Sequence, residues 1–275
     1  MPIRRIPPFP IDSRGNRLQR YEIRRVPGTN ERRVYLLGPA AVAIQVEWAL
    51  QNQNCQRLDI LDDQQQEWTY RYRIDGPVSS DVRTMLDLLE DIVTLESPKY
   101  VDTALALDFY KDPDSHEDPM QWANTRAGNL VNLGKYRGSV RAHKQLTGLL
   151  IDVIDRHPIY RAADLVISVP GSNSAVVGFG QRLASTVARD SGKTLVITRA
   201  RSAVRPAAKN RDEGQTMDLT DEFIVGPEAN GRVAIVVDDV YRSGDTMGAV
   251  ALAARRAGTV GVLGLVGART MRGRK

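Results

Sequence analysis

The C-terminal half of the chain alternates short apolar segments with helical ones, and this alternation restricts the fold more than any other feature. Because the apolar segments show no polar alternation, they are typical of strands buried on both faces of a sheet. These predicted strands are Leu165–Val169, Thr194–Ile197, Val233–Val237 and Val260–Val266. The helical segments between and before them are Val140–Asp155, Gly180–Asp190 and Thr246–Ala257. The pattern predicts an α/β fold, a parallel sheet flanked by helices, with ligands bound at the carboxyl ends of the strands.

The N-terminal half has a different pattern. Residues 1–20 are rich in proline and arginine and predict a basic arm, whereas residues 21–128 predict a small α+β module of unassigned role, a candidate hood over the ligand site. Within this module, Ser79 is predicted to cap an amphipathic helix that runs through Glu96. The remaining residues, 129–275, form the predicted α/β domain.

Composition excludes several classes of protein. The single cysteine, Cys55, rules out an internal disulfide framework and a zinc site built from several cysteines. No apolar run approaches the roughly 18 residues that span a bilayer, and the N-terminus lacks the apolar core of a secretory signal, so we expect no membrane association and a cytoplasmic location. A net charge of +5 weakly favours anionic ligands or nucleic acid.

Two adjacent carboxylates, Asp238 and Asp239, follow the apolar run Val233–Val237, and the polar turn 242–246 then leads into a helix. One acid before a helix could simply complement its positive N-terminus, but that does not explain a pair followed by a glycine-containing turn. Backbone N–H groups in such a turn can bind phosphate. Because the neighbouring carboxylates can accept hydrogen bonds from vicinal hydroxyls, the pattern predicts a site for a ribose 5-phosphate.

The segment VVDDVYRSGDT resembles the 5-phosphoribosyl 1-pyrophosphate (PRPP) motif of type I phosphoribosyltransferases. Three further segments resemble the ComF-type branch of that family, the phosphoribosyltransferase-like proteins linked to bacterial competence. They are Leu133–Gly138 (LGKYRG), Leu165–Pro170 (LVISVP) and Gly178–Ala184 (GFGQRLA). The resemblance covers roughly residues 129–269 and implies a type I phosphoribosyltransferase-like sheet.

The resemblance also implies roles for individual residues. Asp238 and Asp239 would bind the ribose 2- and 3-hydroxyls, and Mg²⁺ would bridge those hydroxyls and the pyrophosphate, held by the two acids only indirectly. The 5-phosphate would lie on Arg242, Ser243, Gly244, Asp245 and Thr246. The pyrophosphate loop would be Pro170, Gly171, Ser172 and Asn173, although an ordinary Pro-Gly turn explains these residues nearly as well.

A long basic segment, residues 198–217, corresponds to the mobile loop of the family. Its candidates for pyrophosphate or an anionic polymer are Arg199, Arg201, Arg205 and Lys209, and a solvated basic loop is an equal alternative. Lys135 is a weaker candidate for the same anionic cleft.

Two functions remain open at this point. The first is a phosphoribosyltransferase that uses PRPP and Mg²⁺ with an unidentified nitrogen base or amine. The second is a non-catalytic PRPP- or nucleotide-binding protein in DNA uptake, processing or regulation, with single-stranded nucleic acid as a partner. Arg242 stands where oxopurine salvage enzymes carry an acid, and the chain lacks the Cys-rich finger usual in ComF-type proteins. In either case we expect a homo-oligomer, most simply a dimer.

Overall fold

A computed structural model describes residues 17–51, 54–65, 67–171, 173, 176–202 and 219–271. Most of the predicted arm, residues 1–16, lies outside the described part. The N-terminal module contains a four-stranded antiparallel sheet in the order β1-β2-β4-β3 and two helices. Its strands are β1 (Arg20–Arg25), β2 (Glu31–Leu37), β3 (Cys55–Leu58) and β4 (Tyr70–Asp75), and its helices are α1 (Ala40–Leu50) and α2 (Ser80–Asp91).

Helix α2 begins as predicted but ends earlier. The Ser79 side chain accepts a hydrogen bond from the Val82 backbone N–H at 3.3 Å, which satisfies one of the free donors of the first turn. The predicted end at Glu96 is wrong, because Val93–Leu95 form strand β5. Two of these three buried residues are β-branched, which favours a strand over a helix.

The C-terminal half is built on a six-stranded sheet in the order β5-β6-β12-β11-β7-β8. Neighbouring strands are parallel except for β5, which pairs antiparallel with β6. The strands after β5 are β6 (Thr103–Ala106), β7 (Leu165–Ser168), β8 (Thr194–Ile197), β11 (Val233–Tyr241) and β12 (Gly261–Arg269). The predicted α/β class, with an N-terminal α+β module, is confirmed. Strands β5 and β6 come from before residue 129, so the sheet draws two strands from the segment assigned to the N-terminal module.

Helices cover both faces of this sheet. Alternate residues of β11 point to opposite sides: Ile235 and Val237 belong to the core that contains α4 and α6, whereas Ala234 and Val236 belong to the core that contains α7. The helices are α3 (Arg126–Tyr136), α4 (Val140–Arg156), α5 (Pro158–Ala162), α6 (Phe179–Asp190) and α7 (Asp245–Arg256). Burial on both faces explains why the runs Ala234–Val237 of β11 and Val262–Val266 of β12 contain no polar side chain.

A short antiparallel ribbon of β9 (Arg199–Ala200) and β10 (Phe223–Ile224) flanks residues 203–218, which lie outside the described part. Among the helices that are described, none is both long enough and apolar enough to cross a membrane.

Candidate functional site

The two adjacent acids lie inside strand β11, near its carboxyl end. The prediction that this strand ends at Val237 is wrong, because its parallel pairing with β12 continues through Asp238 to Tyr241. On the other side, the pairing with β7 stops where Val237 faces Ser168. At the acids, β11 therefore keeps its pairing with β12 and no longer pairs with β7. This is the carboxyl end of the parallel sheet, where ligands of such folds bind.

The acid pair is close to a lysine. Asp239 is only 6% exposed, and the Lys135 ammonium lies 2.7 Å from its Oδ2. Asp238 Oδ1 accepts a hydrogen bond from the Asp239 backbone N–H at 2.8 Å. Burial, reinforced by the neighbouring Asp239 charge, raises the pKa of Asp238 well above its ordinary value. Burial by itself would lower the pKa of Lys135, but the paired Asp239 outweighs it and the pKa is raised.

The LGKYRG segment forms the end of α3 and delivers this lysine. Gly138 has φ +62°, a left-handed conformation that commonly ends a helix, and the Ser139 N–H donates to the Leu133 carbonyl at 3.1 Å. A Cβ added to Gly134 would lie 2.6 Å from the Phe179 ring. The two glycines therefore stop α3 and bring it against α6, so that Lys135, in the last turn of α3, reaches the acid pair.

The GFGQRLA segment forms the start of α6, which approaches the same acids from the other side. A Cβ added to Gly180 would lie 2.9 Å from Asp238 Oδ1. The backbone N–H of Gly178 donates to Gln181 Oε1 at 2.9 Å, which fixes the first turn. Two segments that are separate in the sequence thus converge on Asp238 and Asp239.

The predicted phosphate turn connects β11 to α7. Gly244 has φ +83° and precedes the first residue of α7, Asp245. A Cβ on this glycine would lie 2.5 Å from Tyr241 Oη and 2.9 Å from Pro98 Cβ, so only glycine fits the turn. Ser243 Oγ donates to the Asp245 carboxylate at 2.8 Å. The turn therefore places the N-terminus of a 12-residue helix a few residues after the acid pair in the chain.

Sequence reasoning missed the segment that covers this turn, the β5–β6 connection. Tyr241 Oη donates to the Glu96 carbonyl at 3.1 Å, and a Cβ added to Gly248 would lie 3.1 Å from the Lys99 carbonyl. A cleft of about 280 Å³ lies between this connection and the turn, with Tyr100 and Leu219 among its lining residues. No local signal predicts this contact, since about 145 residues separate its two sides.

Other predicted ligand residues follow strand β7. After β7, Pro170 is buried, Gly171 half-buried and Asn173 exposed. The loop approaches α6, because a Cβ on Gly171 would lie 3.7 Å from the Gly178 Cα.

On the predicted basic loop, Arg199 and Arg201 are exposed at strand β9 and the residue after it. Neither forms an ion pair with another described residue. Ser172, Arg205 and Lys209 lie outside the described part of the chain.

The described residues offer few protein donors for the predicted magnesium ion. Among the described residues, no group of three or more His, Cys, Asp or Glu side chains lies close enough to hold a metal ion. The site offers two adjacent carboxylates, one of which is paired with Lys135. Mg²⁺ commonly binds through one or two carboxylates together with waters and phosphate oxygens. These donors therefore fit a Mg²⁺ that enters with a phosphorylated ligand, rather than one held by the protein alone.

Comparisons with known proteins give a distant similarity. No protein-family model matches the chain, and no curated protein matches it. Among solved structures, a purine phosphoribosyltransferase from Pyrococcus horikoshii Ot3 is similar, with 14% sequence identity and a TM-score of 0.29. The similarity covers 47% of this chain and 85% of that one.

Proposed function

We propose that the chain is a phosphoribosyltransferase of the type I class, which binds PRPP and transfers ribose 5-phosphate to a nitrogen base or amine. The observation that carries this proposal is the placement of Asp238 and Asp239 at the end of β11, directly before a glycine turn that begins α7. A pair of hydrogen-bond acceptors is thus followed closely in the chain by a helix N-terminus of the kind that favours phosphate, and a ribose 5-phosphate carries both hydroxyls and a phosphate.

The roles of the residues follow from their chemistry. Asp238 and Asp239 would accept hydrogen bonds from the ribose hydroxyls, and the backbone of residues 242–246 would bind the 5-phosphate. Pro170 and Gly171, after β7, would lie along the pyrophosphate, and Arg199 and Arg201 are candidates to contact it. Mg²⁺, when bound, would supply positive charge to the pyrophosphate through water and substrate oxygens.

The reaction would exchange one bond at C1 of the ribose. The bond to the pyrophosphate oxygen breaks and its electron pair leaves on pyrophosphate, while the nitrogen lone pair forms the new bond to C1 and the acceptor then loses a proton. Positive charge develops on the sugar ring, so the protein contributes chiefly by holding the reactants in place and by stabilising charge. Arg242 stays protonated and is no base, so the proposal excludes an oxopurine mechanism that relies on an acid at that position.

The test is pyrophosphate release from PRPP with Mg²⁺ and a panel of purines, pyrimidines and amines. We expect Asp238→Asn and Asp239→Asn each to lower turnover by about 100-fold or more, the scale for losing one preorganised polar contact in an active site. The matched control is Asp91→Asn, because Asp91 lies at the end of α2 with a side chain that is 70% exposed. Unchanged turnover in both site variants, or no release with any acceptor, would overturn the enzymatic proposal, and PRPP binding without turnover would favour the non-catalytic alternative.

A further inference from the structure

The proposed substrate contacts do not account for the Lys135–Asp239 ion pair. Asp238 and Asp239 are adjacent in one strand, and Asp239 is nearly inaccessible to solvent. A buried carboxylate is costly unless it is paired, and the Asp238 Oδ1 lies 2.8 Å from the Asp239 backbone nitrogen. Among the described residues, Lys135 is the cation paired with them, with its Nζ 2.7 Å from Asp239 Oδ2.

The position of this lysine is fixed by the fold. Lys135 lies in the last turn of α3, where a cation is also favoured by the helix dipole. Contact between Gly134 and the Phe179 ring sets the distance from α3 to α6, and Gly138 ends the helix. The lysine therefore cannot leave without a change in α3 or a rotation of its own side chain.

The Lys135 side chain can rotate away from Asp239. The Lys135 side chain is 36% exposed, whereas that of Asp239 is 9% exposed. A flexible four-carbon stem that reaches a buried acceptor from a partly solvated position can exchange partners when a ligand enters. The carboxylate stays in place while its cation can be replaced.

We propose that Lys135 is a built-in counter-cation of the acid pair, which excludes divalent metal ions from Asp238 and Asp239 until PRPP enters. In the free protein the ammonium takes the place that a metal ion would otherwise occupy beside Asp239. When PRPP enters, its hydroxyls donate to the carboxylates and the ammonium is released beside the incoming anion. Only this last step rests on the proposed function, because competition between lysine and metal requires no substrate.

The test is a titration with Mn²⁺, a probe for Mg²⁺ that is visible by electron paramagnetic resonance, in the absence of PRPP. We expect no saturable binding to the wild-type protein at about 1 mM Mn²⁺, and at least about tenfold tighter binding to Lys135→Met, which keeps the length of the side chain and removes its charge. The gain should be absent in the double variant Lys135→Met/Asp239→Asn. Lys144→Met, at an exposed lysine on α4, is the matched control and should bind as the wild type does.

Lys135→Arg keeps the positive charge and, like the wild type, should show no saturable Mn²⁺ binding. Thermal unfolding shows whether each variant is folded, and Lys135→Gln replaces Lys135→Met if that variant is not. Equal Mn²⁺ binding by the wild type and the charge-removing variant would overturn the proposal. The Mn²⁺ titration contains neither PRPP nor an acceptor. A negative titration would therefore not contradict the transferase proposal, and a negative turnover assay would not contradict the Mn²⁺ result.

Discussion

Replacing Gly180 with alanine tests the close approach of α6 to the acid pair. The added Cβ would lie 2.9 Å from Asp238 Oδ1 and 3.7 Å from the Asp239 backbone nitrogen. Because non-bonded heavy atoms pack without penalty at about 3.5 Å, the carboxylate or the helix must shift by about 0.6 Å. A shift of this size in a group that positions two hydroxyls should weaken PRPP binding by about tenfold, which corresponds to about 1.4 kcal/mol.

Gly148 provides the matched control, since it lies in the middle of α4 and a Cβ there would meet no atom within 4 Å. Gly148→Ala should stabilise the protein by about 0.8–1 kcal/mol through helix propensity and leave PRPP binding unchanged. Gly180→Ala should gain less stability or lose some, because the contact with Asp238 opposes the gain. Urea unfolding measures the free energy of unfolding, and calorimetry with Mg²⁺ measures the dissociation constant of PRPP.

A Gly180→Ala variant that binds PRPP like the wild type, and is stabilised as much as Gly148→Ala, would refute this reasoning. Such a result would mean that the first turn of α6 does not fix the position of Asp238.

Two further predictions concern stability. His157 is fully buried, neither ring nitrogen has a hydrogen-bond partner in the described part of the chain, and burial lowers its pKa to about 3. In the unfolded chain its pKa is near the ordinary value of 6.5. The stability that the neutral, buried ring contributes is therefore fully present above pH 6.5 and is lost as the pH falls toward 3. Urea unfolding should show about 2 kcal/mol less stability at pH 5 than at pH 7 from this residue, and a His157→Leu variant with the same pH dependence as the wild type would contradict the assignment. Asp102 Oδ2 lies 2.5 Å from Arg255 and accepts a hydrogen bond from the Val262 N–H at 2.8 Å. Asp102→Ala should therefore lower the free energy of unfolding by about 2–3 kcal/mol in the same assay. A decrease below about 0.5 kcal/mol would count against both contacts.

Much of the α/β half was predictable because local and tertiary signals agree there. Leu165–Ile167 of β7 and Val233–Val237 of β11 are unbroken apolar runs, and α4 and α6 have clear apolar faces. The acids at the end of β11 were therefore placed at the correct edge of the sheet. The true end of β11 was not predictable, because it depends on pairing with β12 rather than on its own polar residues.

Other elements lack a local signal. Helix α3 contains Gly128 and Gly134 and two asparagines, all poor helix formers. It is stabilised instead by Thr125, whose side chain accepts the Gly128 N–H at 3.0 Å, and by packing against α4 and β12. Strand β6 has only four residues, and its partner in β12 lies about 160 residues further on.

The contact between Lys135 and Asp239 also has no local signal in the sequence. Its two residues are 104 positions apart, and they meet only because α3 and β11 pack in the same half of the fold. The sequence marked Asp239 as a candidate ligand of the ribose hydroxyls and Lys135 as a weaker candidate for an anionic cleft, but it contained no evidence that they form an ion pair.

Calorimetric titration of PRPP in the presence of Mg²⁺ tests the central claim most directly. We predict one PRPP site per chain, with no measurable binding by an Asp238→Asn/Asp239→Asn variant whose unfolding curve shows that it is folded. Absence of binding by the folded wild-type protein, or equal binding by the variant, would contradict the claim that the acid pair of β11 and the turn before α7 form a PRPP site.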